Sequence, residues 1–97
     1  MGKRGFIIDT GENEIPVEGH EHRNVAVKYL MKRRRTLLST RDSQKIEILF
    51  DKLPRELTII GKLVSRTYYI KWEKVGTEEF TGSRFTFTIN EKVKLLN

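Results

Sequence analysis

Two stretches in the C-terminal third alternate apolar and polar residues with a period of two, and that restricts the chain to folds built on a sheet. In residues 67–75, Tyr68, Ile70 and Trp72 fall on one side and Tyr69, Lys71 and Glu73 on the other. In residues 80–89, Phe85, Phe87 and Ile89 alternate with Thr86, Thr88 and Asn90. Period two marks a strand with one buried face. Gly76-Thr77-Glu78 reads as the turn that joins the two, and Gly82 as a bulge in the return strand. Tyr68, Trp72, Phe85 and Phe87 are therefore expected in the core. Tyr69 and Phe80 are the aromatics left free to face outward, with Lys71, Lys74 and Arg84 near them in sequence.

The N-terminal part supplies a second hairpin. Residues 5–9 are a short strand-type run, Thr10-Gly11-Glu12-Asn13 is turn chemistry, and Glu14-Ile15-Pro16-Val17 resumes the strand. Pro16 has no N–H to give a ladder, so this strand is expected at an edge. Gly19 then breaks the chain.

A helix starts near residues 21–24. Ala26, Leu30 and Leu37 form its apolar stripe, flanked by Val27 and Tyr29, and Lys28, Lys32 and Arg35 form the opposite one. Arg33 and Arg34 fall toward the apolar side. Either their stems snorkel or the helix ends near Arg33. Asp42 or Ser43 is a good N-cap for a second short helix carrying Ile46, Leu49, Phe50 and Leu53, although residues 45–50 also fit a strand. Pro54 ends it. Residues 57–64, with Gly61 in the middle, are read as a strand, and residues 91–96 as a helical turn or a strand extension. The expected fold is a single α+β domain over residues 1–97, in the order ββααβββ, with an antiparallel sheet packed by one or two helices.

At 97 residues without cysteine, disulfides, thiolate nucleophiles and Cys-ligated zinc are absent. Packing must supply the stability, on the order of 5–10 kcal/mol for such a domain. A partner subunit, as in a homodimer, would add to it. No stretch approaches the ~18 apolar residues of a membrane span. The N-terminal Phe6-Ile7-Ile8 is too short for a signal-peptide core. A cytoplasmic, intracellular protein without membrane attachment is expected.

The net charge of +6 is unevenly spread. Residues 1–22 hold two Lys/Arg and five Asp/Glu. Residues 23–45 hold eight Lys/Arg against Asp42 alone. The eight are Arg23, Lys28, Lys32, Arg33, Arg34, Arg35, Arg41 and Lys45. Such clusters attract phosphate backbones through counterion release, and Arg also forks onto carboxylates. Together with Tyr69 as a stacking residue, they form the expected binding surface for nucleic acid or an acidic protein surface. A solvated helix face is the plainer reading of the same residues.

The remaining candidates are weaker. His20-Glu21-His22 is the one metal or acid–base candidate, but a metal needs a further ligand and no matching motif exists. No phosphate-cradling glycine motif and no serine or cysteine nucleophile site is present. A non-enzymatic binding module without cofactor is the expectation, with nucleic acid as the first partner. The alternative is a small protein, of viral or mobile-element type, that binds and inhibits or modulates a host macromolecule. The acidic residues 9–21 suit that alternative, because a two-signed surface complements a protein better than DNA. The third reading is a metal-free ribonuclease using His20 or His22 with Arg33, Arg34 and Tyr69.

Overall fold

The computed structural model describes residues 2–78 and 82–95, with side chains at 2–73 and 87–94. The elements are β1 (Arg4–Asp9), β2 (Glu14–Gly19), α1 (His22–Leu38), α2 (Ser43–Asp51), β3 (Glu56–Ile60), β4 (Val64–Glu78) and β5 (Gly82–Leu95). This is the expected ββααβββ order. The strands form one antiparallel sheet, ordered β2-β1-β3-β4-β5. β2 lies at an edge, where the missing N–H of Pro16 costs no interior ladder bond.

Alternation assigns the two faces of the sheet. Phe6 and Ile8 of β1, Leu57 and Ile59 of β3, and Tyr68, Ile70 and Trp72 of β4 are buried and form the core with Val25, Ala26, Leu30 and Leu37 of α1 and with Leu53. Phe87 and Ile89, paired with Trp72 and Ile70, pack against it. Trp72 is tied down further: its indole N–H donates to the Pro54 carbonyl at 2.8 Å, and Phe87 leans on its ring at 5.0 Å. The helices cover this one face. Ile7 and Tyr69 point to the other, and the Thr58 and Thr67 hydroxyls pair across it at 3.0 Å.

The helices follow local chemistry. α1 runs unbroken through the four consecutive cations to Leu38. Of the two alternatives for this segment, the stems therefore adapt: the Arg33 guanidinium lies over the Tyr29 ring at 5.0 Å, and Arg34 Nη1 approaches Met31 Sδ at 3.8 Å. Asp42 caps α2, its carboxylate accepting from the Gln44 and Lys45 N–H groups. In the first hairpin, Gly11 takes φ +89°, which suits glycine, and Asp9 accepts from its N–H.

Three boundary expectations change. β3 ends at Ile60, and residues 61–63 make the β3–β4 turn, closed by the Gly61 N–H to the Val64 carbonyl at 2.9 Å. Residues 76–78, expected as a turn, continue the ladder to Glu78↔Gly82. Cross-strand pairing overrides the local turn preference there. The bulge lies in β4, between Lys74 and Gly76, and Gly82 simply opens β5. For residues 91–95 the strand extension holds over the helical turn: they lengthen β5, paired with Val64–Tyr68 of β4. Phe80 and the side chain of Phe85 lie outside the described residues.

Candidate functional site

The expected binding residues separate into three places. Lys28, Lys32 and Arg35 are exposed along one face of α1, with Arg33 exposed beside them over Tyr29. Arg34 is half-buried, and its Nε is enclosed without a hydrogen-bond partner. Arg41 and Lys45 are exposed just after α1, in the loop and the first turn of α2. Two ion pairs occur among the described residues, Arg66–Glu91 and Lys71–Glu73, and both lie on the sheet. Lys28, Lys32, Arg33 and Arg35 therefore present their charge to solvent.

Arg23 does not belong with them. It sits in the first turn of α1, twelve residues before Arg35, which at helical rise is about 18 Å away. Tyr69, 44% exposed, is on the sheet face that the helices leave open, so the sheet separates it from the α1 cations. The same separation scatters the ribonuclease set: Arg33 and Arg34 lie about 17 Å or more along α1 from His22, and Tyr69 lies behind the sheet.

His22 is held as a structural group. Its ring meets Phe6 edge-on at 4.9 Å, and its Nε2 donates to the Val64 carbonyl at 3.0 Å. A carbonyl only accepts, so this nitrogen carries the proton and is closed to a metal. Gly61 makes the seat possible, since a Cβ there would lie 2.6 Å from His22 Nε2. His20, two residues earlier between β2 and α1, is exposed. Among the described residues no three His, Asp or Glu side chains gather as a ligand set.

Around His22 the fold assembles a second basic group. A cleft of about 580 Å³ is lined by Arg4, His20, Glu21, His22, Arg23, Lys62 and Arg66, with Leu63 and Val64. Arg66 pairs with Glu91, while its Nε is enclosed and unpartnered. Next to that pair the Tyr68 hydroxyl is buried, close to Glu91 without completing a hydrogen bond. Burial pushes the Tyr68 hydroxyl up to about 12, the Glu91 carboxylate adds to the rise, and Arg66 and Arg23 oppose it.

Sequence reasoning missed Arg4 and Arg66, although parity points to them. Arg66 continues the Tyr68, Ile70, Trp72 alternation, and Arg4 continues that of Phe6 and Ile8. Both therefore stand on the helix-covered side, beyond the end of the core. Lys62 has no such signal, because the turn that carries it was read as strand. No family model matches the chain, and neither curated proteins nor solved structures show significant similarity to it, so this geometry is the basis for reading its function.

Proposed function

We propose that the protein is a small, non-enzymatic nucleic-acid-binding module that contacts backbone phosphates through α1 and the loop after it. The observation that supports this reading is the exposed row Lys28, Lys32 and Arg35, widened by Arg33, Arg41 and Lys45 and engaged in none of the described ion pairs. Such a row gains affinity by releasing counterions, and it does so with little regard to base sequence. The test replaces Lys32, Arg33, Arg34 and Arg35 with Ala and measures binding to single- and double-stranded oligonucleotides over a salt series. Binding should weaken for all sequences, and its dependence on log salt should flatten by roughly one unit per lost phosphate contact. Equal binding by the variant, or none by wild type at low salt, defeats the reading.

A second reading has an observation of its own. Glu12 of the first hairpin lines the same groove as Arg33, and Glu18 lines another with Lys28 and Lys32. Juxtaposed opposite charges fit a protein surface better than a uniform polyanion. On this reading the protein binds and modulates another macromolecule. Capture of a partner from lysate that survives nuclease at moderate salt, and is lost on Glu12→Lys, selects it.

A further inference from the structure

We propose that the cleft between the start of α1 and the β3–β4 turn is a binding site for a phosphate monoester. Four cations from four separate segments converge on it: Arg4 from β1, Arg23 from α1, Lys62 from the turn and Arg66 from β4. They are distant in sequence, so only the fold brings them together. Glu21 is the one carboxylate on the wall, and Glu91 stands behind Arg66. The balance is two positive charges, which matches the charge of about −1.5 to −2 on a phosphate monoester near neutrality.

The donors fit as well. Arg66 gives Nη1 to Glu91, which holds its guanidinium at the wall, and Arg4, Arg23 and Lys62 line the cleft as exposed donors. Glu21, the N-cap of α1, makes no side-chain capping bond, and the first turn carries no acid, so its backbone N–H groups reinforce the cations. The rim explains why an ester fits better than a bare ion. Leu63 is 73% exposed at the mouth, beside Val64, and offers an apolar wall to an organic group. About 580 Å³ is the size of a small-ligand site. The site shares no residue with the α1 row of Lys28, Lys32, Arg33 and Arg35, and it stands whether or not that row binds nucleic acid.

The test titrates the full chain with inorganic phosphate, adenosine 5′-monophosphate, and an oligonucleotide bearing either a 5′-phosphate or a 5′-hydroxyl, read by amide chemical shifts and calorimetry. The monophosphate should shift amides of residues 22–24 and 62–66. Arg23→Gln and Lys62→Gln, each checked for an unchanged fold by circular dichroism, should each weaken it about tenfold. Arg35→Gln should not. A strand end as the source gives a preference for the 5′-phosphorylated oligonucleotide that Arg23→Gln removes. A free small molecule gives monophosphate binding as tight as that of the phosphorylated strand. Absence of these shifts at millimolar monophosphate and low salt overturns the proposal. So does equal weakening by Arg35→Gln and Arg23→Gln.

Discussion

The two ends of α1 are both basic, yet they are built in opposite ways. At the C-terminal end the cations are consecutive in sequence, and the fold leaves all but the half-buried Arg34 in solvent. The Arg33 and Arg34 side chains find local neighbours there, on Tyr29 and Met31. At the N-terminal end the cations are scattered through the sequence and converge in space, among His22, Gly61 and the Arg66–Glu91 pair. Charge density along a chain and charge convergence in a fold are thus separate properties. The first gives a long-range field that salt screens. The second gives a shaped site whose members depend on packing.

The largest expected effect concerns the core that anchors both ends. Trp72→Ala should lose about 3–5 kcal/mol, seen as a lower denaturation midpoint, because the ring is buried against Phe87 and the Pro54 carbonyl loses its donor. A stable, folded Trp72→Ala protein that fails only in binding would instead make Trp72 an interface residue and remove the common anchor from the comparison.

Next comes the N-terminal end alone. Gly61→Ala puts a methyl group 2.6 Å from His22 Nε2 and 3.2 Å from the Val64 carbonyl, and it should cost about 1–3 kcal/mol. Combining it with His22→Ala should give less than the sum of the two single losses, since both disturb one contact. Strict additivity in thermal melts would show that His22 does not pack on Gly61.

Single charges give a smaller contrast. Arg66→Ala should lose up to about 1 kcal/mol, the upper range for a partly exposed pair. Arg35→Ala should stay within about 0.5 kcal/mol. Equal losses at the two positions would erase the distinction between a packed and a solvated end.

The smallest effect is confined to alkaline pH. Tyr68 ionises near pH 10 in an unfolded chain and is pushed up to about 12 in the fold. The neutral hydroxyl is therefore favoured by folding. Its contribution is complete below pH 10 and is lost as pH rises from 10 toward 12. Wild type should lose stability more steeply than Tyr68→Phe across that window, and the two should run parallel between pH 6 and 9. Parallel curves throughout would place the hydroxyl in water.

The sequence by itself determined every element that rests on local periodicity or local chemistry. Alternation fixed the inner residues Tyr68, Ile70 and Trp72. The i, i+4 stripe fixed Ala26, Leu30 and Leu37, and Pro16, Asp42 and Pro54 marked an edge, a cap and a stop. Each of these works through neighbours within about one helical turn or one strand pair, so a window of sequence contains the cause. Only the assembled sheet decided where β3 ends, where β4 bulges, and that residues 76–78 pair instead of turning, because strand pairing outweighs weak turn preferences. The tertiary structure also decided which cations share a site. Arg4, Arg23, Lys62 and Arg66 meet only after the β1–β3 and β3–β4 pairings form and α1 closes on the sheet. Tyr69, one residue from the buried Tyr68, is carried to the opposite face by the pleat. A charge tally records how many cations a segment has, but convergence depends on contacts between residues far apart in the chain.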